Sequence, residues 1–245
     1  MLKNIYLGFK FSLSYFSILP ISFKASDDLS RKEVLTFMLF FLPFVGILLA
    51  VGTVVLFYFL SSLSWFGALI SATFYMMLYG FLHTEAIMDV ADAIYAKHSG
   101  KDAYEIIKEP TVGAMGVLYG TSLMILKIVG IAYLLMHNYL LEFIAITIVS
   151  RLSLLLLFTI YEFRSTFAVL LKNALTKPYF FASFALFSIV GYLLVSNFML
   201  LLLIGLLLAL LISFVIKLKI GFVNGDVLGA TLEGVEILLI IGVNL

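Results

Sequence analysis

Three acidic residues with helical spacing, Glu85, Asp89 and Asp92, lie at the end of a long apolar stretch. Their spacings of four and three residues place the carboxylates within about 60° of one another on a helix. Like charges on one helix face repel one another, and each is costly to ionise at membrane depth. The pattern therefore predicts a face that a bound cation holds together; the alternative is a face directed into a wet loop region.

A second acidic face follows near the end of the sequence, where Asp226, Gly229, Glu233 and Glu236 recur at spacings of three, four and three. Carboxylate oxygens in a chain without cysteine favour Mg²⁺ or Mn²⁺ over zinc. Mg²⁺ that is held by few carboxylates usually completes its shell with water and substrate phosphates. The two faces together therefore predict the metal-dependent making or breaking of a phosphoanhydride or phosphodiester.

A basic, glycine-containing segment follows the first acidic face. Lys108 lies beside Glu109 and precedes Gly113 and Gly116 at the expected start of a helix. The free N–H groups at a helix start bind anions, and a lysine can hold the non-bridging oxygens of a phosphate. We therefore expect this segment to bind phosphate. The glycines between residues 221 and 234 are expected either to admit substrate or to pack helices together.

The composition is that of an integral membrane protein. The chain is 64% hydrophobic and 12% charged, and apolar stretches long enough to cross a bilayer recur along its length. The absence of cysteine excludes disulfides, thiol nucleophiles and cysteine-bound metals. A net charge of +1 without a basic stripe gives no sign of nucleic-acid binding. We expect a single integral membrane domain over residues 1–245.

The elements that must position the acidic faces are long apolar helices, so the predicted fold class is an all-α polytopic membrane bundle. Residues 1–23 are amphipathic and predict an interfacial helix, with a first span as the alternative. Residues 96–110 are polar and predict either a loop or a short surface helix. Residues 161–177 predict a loop, with a helical piece in the membrane interface as the alternative. Seven spans are expected over residues 35–60, 65–88, 112–136, 139–160, 178–195, 198–216 and 226–245.

The distribution of basic residues predicts the orientation of the chain. Lysine and arginine precede the first long span and recur in the loops after the second, fourth and sixth spans. The turns at residues 61–64, 137–138 and 196–197 carry neither. Because basic loops stay in the cytoplasm, the side that carries both acidic faces is expected to be cytoplasmic.

Three ordered segments carry a more specific pattern: GFLHTEAIMDVADAIYA at residues 80–96, KDAYEIIKEPTVGAMGVLYG at 101–120 and GFVNGDVLGATLEGVEILLI at 221–240. They resemble motifs of the cobalamin synthase family, also called adenosylcobinamide-GDP ribazoletransferase. The pair Ser150 and Arg151 is similar to a mid-chain Ser-Arg of that family. Glu85 and Glu109 stand where the family usually has Asp, and Asn224 stands where it usually has Thr.

The resemblance implies a Mg²⁺-dependent transfer of the adenosylcobinamide phosphate group from adenosylcobinamide-GDP to α-ribazole or its phosphate, with GMP as the leaving group. It also implies a multi-pass protein of the cytoplasmic membrane of a prokaryote. The metal is expected on Glu85, Asp89, Asp92 and Asp226. Catalytic roles are expected for Lys108 and for a proton acceptor among His83, Glu109 and Glu233. Substrate is expected at Lys108, Gly113, Gly116, Arg151, Asn224 and Gly225.

Two basic residues lie deep in predicted spans and need an anion. Arg151 is expected to contact either the phosphate of the substrate or an acidic residue in a structural ion pair. Lys127 is expected to pair with Glu142 or to extend toward the membrane surface. Arg164, which lies at the inner surface, is expected on a solvated face.

Two other functions remain as alternatives. A CDP-alcohol phosphotransferase would also use metal at a membrane, but the sequence has no Ala-Arg pair and no Asp in the third span, both of which that signature needs. A cation-coupled transporter would place acids near the middle of the membrane and repeat its fold internally. Membrane lipid is an expected partner, and a homo-oligomer is a further possibility.

Overall fold

The computed structural model describes residues 1–98 and 100–243 of the chain. These residues form twelve α-helices and no strand, which confirms the predicted all-α class. The helices are α1 Leu2–Phe16, α2 Lys32–Phe40, α3 Leu42–Leu60, α4 Trp65–Leu78, α5 Leu82–His98, α6 Ala103–Lys108, α7 Ala114–Met136, α8 Leu140–Ile160, α9 Thr166–Ala174, α10 Lys177–Leu194, α11 Phe198–Ile220 and α12 Gly225–Val243.

Five of the described helices are long and apolar enough to cross a membrane: Leu42–Leu63, Ala114–Met136, Leu140–Ile160, Lys177–Leu194 and Phe198–Ile220. The bent pair α4 and α5 would make a sixth if the two count as one broken span. Helix α12 is not among them because it carries three acids, and most of its surface is buried in the bundle. The polytopic helical bundle is therefore supported, whereas the exact number of spans stays a prediction.

The first predicted span, residues 35–60, is broken into two helices. Helix α2 ends at Phe40, and α3 begins at Leu42 with Pro43 in its first turn. Proline has no N–H to donate and is favoured at the start of a helix, so the chain restarts here instead of continuing.

The second predicted span, residues 65–88, is also broken, and this break directs the first acidic face. Helix α4 ends at Leu78 and α5 begins at Leu82, with the two axes 76° apart. Gly80 and Phe81 between them have φ angles of +62° and +56°. The N–H of Ile18 donates to the carbonyl oxygen of Leu78 at 2.8 Å, which satisfies one backbone group that the break leaves without a helical partner. Glu85, Asp89 and Asp92 therefore lie on a separate helix and not at the end of a straight span.

The amphipathic N-terminal segment forms α1, which packs along α2 and is not among the candidate spans. The two predicted polar loops contain the short helices α6 and α9, as expected. Helix α12 is the element around which the site is built, since it packs against α5, α7, α8 and α11.

A buried cluster of four charges fixes α12 against α7 and α8. Lys127 Nζ lies 2.7 Å from Glu233 Oε2 and 2.6 Å from Glu236 Oε2, and Arg151 pairs with the other oxygen of Glu236. All four side chains are at most 3% exposed, and their charges cancel. The expectation that Lys127 pairs with Glu142 or reaches the surface is therefore wrong. Of the two alternatives for Arg151, the structure has the ion pair with an acidic residue.

Candidate active site

Two cavities meet at Asp226, in the first turn of α12. The apolar cavity, of about 280 Å³, lies among α1, α5, α8, α9 and the start of α12. The polar cavity, of about 340 Å³, lies between α6 and the start of α9. Both cavities are lined by Ser165, Phe167, Asn224 and Asp226.

The start of α12 is fixed by the loop that precedes it. Gly221 ends α11 with a φ angle of +96°, and the carbonyl oxygen of Val223 accepts a hydrogen bond from the N–H of Arg164 at 2.8 Å. The side-chain oxygen of Asn224 accepts from the N–H of Val227 at 3.1 Å and so caps the helix. Its amide nitrogen donates to Asp226 Oδ2 at 2.6 Å. Asn224 thereby orients the carboxylate at the junction of the cavities.

The two acidic faces meet between α5 and α12. Negative charge on Asp226, Glu85 and Asp92 acts on the half-buried carboxylate of Asp89. Burial, together with the charge of Glu85, raises the pKa of the Asp226 carboxyl. Within the described residues, Glu85, Asp89 and Asp226 take part in no ion pair. The fold thus brings together acids that are more than a hundred residues apart in sequence.

The donor chemistry of this acidic group fits a hard divalent cation. Carboxylate oxygens without a basic partner, at the edge of a polar cavity, are the ligands that Mg²⁺ takes up, with water and phosphate oxygens to complete its shell. The described residues contain no set of three or more acidic or histidine side chains already drawn together to hold a metal. A cation would therefore need ligands from its substrate or from water as well as from the protein.

Asp92 has a different environment from the other acids. Its carboxylate accepts the N–H of Gly113 at 2.5 Å and the N–H of Gly116 at 2.7 Å, at the start of α7. The anion that binds the free N–H groups of this helix is thus a side chain of the protein. The phosphate expected at Gly113 and Gly116 would have to displace it.

Two cationic side chains line the polar cavity. Lys108 Nζ lies 4.0 Å from the centre of the Tyr104 ring, and it is 3.9 Å from Glu105 at the surface. The guanidinium of Arg164 lies 3.7 Å from the centre of the same ring and forms no ion pair with any residue that the structure describes. Arg164 is exposed, as expected of a solvated face, and its contact with Tyr104 is an addition to that expectation. Nothing in the sequence pairs residue 164 with Tyr104, because the two meet only in the folded chain.

The three expected proton acceptors have different surroundings. His83 lines the apolar cavity and makes no hydrogen bond to the described part of the chain. Glu109 follows α6 and lines a separate surface depression with Asp92 and Thr111. Glu233 is held by Lys127 in the buried cluster. His83 alone of the three shares a cavity with Asp226.

Of the two remaining residues expected to contact substrate, one lines a cavity and the other does not. Gly225 lines the apolar cavity, and a Cβ added to it would meet no atom within 4 Å. Arg151 is buried against Glu236 and lines neither cavity. The geometry therefore places His83, Lys108, Asn224, Gly225 and Asp226 at the cavities. Glu85 and Asp89 line neither cavity, but their charges interact with that of Asp226.

Comparisons with known proteins identify the relatives of this chain. The family model described as cobalamin-5-phosphate synthase matches residues 8–244. An adenosylcobinamide-GDP ribazoletransferase of Clostridium perfringens strain SM101 is 29% identical over 141 residues, which cover 56% of this chain and 54% of the relative. A protein of the same name from Chlorobium chlorochromatii is 34% identical over 130 residues, which cover 52% of this chain and 49% of the relative.

A third relative with this name, from Desulforamulus reducens, is 28% identical over 161 residues, which cover 65% of this chain and 63% of the relative. The chain spans about half the length of the first curated relatives that it matches. No solved structure matches it.

Proposed function

We propose that this chain, which belongs to the cobalamin-5-phosphate synthase family, transfers the adenosylcobinamide phosphate group from adenosylcobinamide-GDP to α-ribazole or its phosphate. A ribose hydroxyl of the acceptor attacks the phosphorus next to the cobinamide, the phosphoanhydride bond to GMP breaks, and a phosphodiester forms. The products are GMP and adenosylcobalamin or its 5′-phosphate. The names of the relatives support this reaction.

The observation that carries the proposal is the junction at Asp226. There, Asp226 lines both a cavity with two cationic side chains and a second cavity with apolar walls, and it lies close enough to Glu85 and Asp89 of α5 for their charges to interact. Transfer between a diphosphate and an uncharged riboside needs these three environments in contact. A transporter would need a path between the two sides of the membrane, and nothing in these cavities favours that alternative.

Mg²⁺ is the proposed cofactor, with Glu85, Asp89 and Asp226 as its protein ligands. When bound, it would neutralise negative charge on the diphosphate of the substrate. Asp92 stays a prediction as a further ligand, because its carboxylate already binds the start of α7.

Lys108 and Arg164 are proposed to hold the non-bridging oxygens of the diphosphate. Both side chains rest on the ring of Tyr104, which restrains them at the edge of the polar cavity. Cationic donors at this position would stabilise the charge that develops on these oxygens as the anhydride bond breaks. Arg164 can bind two oxygens at once through its planar group.

His83 is the proposed acceptor of the proton from the attacking hydroxyl. It is the one expected base that shares a cavity with Asp226, and a neutral imidazole nitrogen can take a proton from a ribose hydroxyl within hydrogen-bond reach. Lys108 then assists GMP as it leaves by balancing its charge. In this proposal Glu109 and Glu233 do not act on the substrate.

The protein is proposed to lie in the cytoplasmic membrane with this junction on the cytoplasmic side. The support is the placement of Lys and Arg in alternate loops of the sequence together with the apolar helices. Lipid would cover the exposed apolar faces of the outer helices. Assembly into a homo-oligomer stays a prediction.

The direct test is GMP release by the purified protein in detergent, with adenosylcobinamide-GDP, α-ribazole and Mg²⁺. We expect release that needs all three components, that EDTA stops, and that Asp226→Asn lowers at least a hundredfold. Asp28→Asn changes a carboxylate of the same type in a surface pair with Arg31 and should leave the rate unchanged. No GMP release by the wild-type protein, or an Asp226→Asn variant as active as the wild type, would reject the proposal.

A further inference from the structure

We infer that the apolar cavity binds the flat bicyclic base of the acceptor riboside. This inference rests on the proposed function. The names of the relatives give the reaction but not the place where the acceptor binds, and the inference assigns that place to the apolar cavity. Three features of the apolar cavity support it: the aromatic residues in its walls, its volume and the residues that it shares with the polar cavity.

The walls of the cavity present aromatic rings. The rings of Tyr15 and Phe167 have their centres 5.1 Å apart, and those of Tyr15 and Phe16 lie 4.8 Å apart. Phe158 of α8 completes the aromatic lining. Aromatic rings in offset or edge-on contact are the surroundings that a planar heteroaromatic group prefers.

The rest of the apolar lining is made of leucine, alanine and glycine. Five leucines line the cavity, and between them the small residues Ala86, Ala168, Gly225 and Gly229 come from three different helices. The volume of about 280 Å³ lies just below the range of about 300–1,000 Å³ that is typical of sites for small ligands. One bicyclic base with part of its sugar is of this size, whereas the corrin ring system of the donor is far too large.

The wall that the apolar cavity shares with the polar cavity determines the orientation proposed for α-ribazole. Asn224 and Asp226 lie on the wall that is shared with the polar cavity, and His83 lies on the α5 side. A base among the aromatic rings would therefore direct its ribose toward the diphosphate held by Lys108 and Arg164. The hydroxyl that attacks and the group that it attacks would approach from opposite cavities.

A lipid acyl chain is the competing occupant of an apolar cavity in a membrane protein. The carboxylate of Asp226 at the mouth argues against a hydrocarbon tail, which cannot solvate a charged group. A lipid in this cavity would be found as a phospholipid that co-purifies with the protein.

The experiment measures binding of radiolabelled α-ribazole to the purified protein in detergent, in EDTA and without donor. Ala168→Val adds two carbons to the cavity wall and should weaken binding at least tenfold. Val169→Leu, which enlarges the next residue of α9 outside the cavity, is the matched control and should bind like the wild type. If Ala168→Val does not fold, Phe167→Leu removes an aromatic wall and should have the same effect.

Steady-state kinetics provides the second measurement. Ala168→Val should raise the KM for α-ribazole at least tenfold and leave the KM for adenosylcobinamide-GDP unchanged, while Arg164→Gln should do the reverse. Unchanged α-ribazole binding and KM in folded Ala168→Val and Phe167→Leu would overturn the inference. So would a co-purified phospholipid that fills the cavity and is not displaced by α-ribazole.

The two proposals fail separately. Saturable α-ribazole binding that Ala168→Val weakens, in a protein that never releases GMP, would reject the proposed reaction and keep the cavity assignment. GMP release with cavity variants indistinguishable from the wild type would keep the reaction and reject the assignment.

Discussion

At the scale of single residues, the spacing of the acids of α12 predicts which helix face they share but not which side chains they contact. Asp226, Glu233 and Glu236 were expected on one helix face, and they do lie on one helix. Asp226 and Glu233 are seven residues apart, which is about 10 Å along a helix, and this separation puts them in different surroundings. The periodicity predicts the face, but the partners Lys127 and Arg151 come from two other helices and depend on the packing.

Replacement of Glu236 by glutamine is expected to destabilise the protein. It pairs with Lys127 and Arg151 in the core, so Glu236→Gln leaves an uncompensated positive charge in a dry site. Loss of one partner of a buried ion pair costs about 3–5 kcal/mol. We expect the free energy of unfolding in detergent, from denaturant titration, to fall by about this amount.

Glu162→Gln is the control for this variant. Glu162 pairs with Lys172 at the surface and its side chain is 92% exposed, so its replacement should have little effect on unfolding. Equal stability of Glu236→Gln and the wild type would show that the buried cluster does not hold α12 in place.

At the scale of elements, the break between α4 and α5 is the feature that sequence reasoning missed. Hydropathy is continuous through residues 65–88, and a single glycine within an apolar helix is tolerated. What ends α4 is the left-handed backbone at both Gly80 and Phe81, and packing against the segment after α1 supports it. The two helices are bent by 76°, and α5 packs against α12, as the proposed metal site requires.

Helices α5 and α7 approach each other closely at Gly116, so a larger residue at this position is expected to disturb their contact. A Cβ at Gly116 would lie 2.4 Å from Asp92 Oδ2 and 2.7 Å from the carbonyl oxygen of Met88. Gly116→Ala must therefore push α7 away from α5 or expel the carboxylate from the helix start. We expect a lower melting temperature and at least a tenfold loss of GMP release.

Gly52→Ala is the matched control, since its Cβ would meet only Leu78 Cδ1 at an ordinary 3.7 Å. This variant should melt and turn over like the wild type. A Gly116→Ala protein with unchanged melting temperature and rate would mean that the close approach of Asp92 to α7 is not needed.

At the scale of the whole molecule, composition and hydropathy suffice for the class of fold, and three sequence segments suffice for the family. The cavities were not foreseeable. Tyr15 and Phe16 lie in a helix expected only at the membrane surface, yet they form a wall of the apolar cavity with residues of α9. Surface amphipathicity reports that a helix has an apolar side, but not which neighbour that side will contact.

The orientation of the molecule in the membrane gives a prediction at this scale. The chain has no cysteine, so single cysteines can be introduced and labelled in whole cells. Ser61→Cys in the turn after α3 should react with an impermeant maleimide in intact cells. Lys101→Cys, in the loop between α5 and α6, should react only after the cells are opened. The opposite pattern would place the junction at Asp226 outside the cytoplasm.

Acids from α5 and α12 are proposed to hold one divalent cation together, and Mn²⁺ titration followed by electron paramagnetic resonance measures this binding without the substrates. Purified wild-type protein should bind Mn²⁺ in competition with Mg²⁺, and Asp89→Asn and Asp226→Asn should each weaken binding at least tenfold. Their effects should be non-additive in the double variant, because both side chains serve one ion. Wild-type affinity in both single variants would contradict the account.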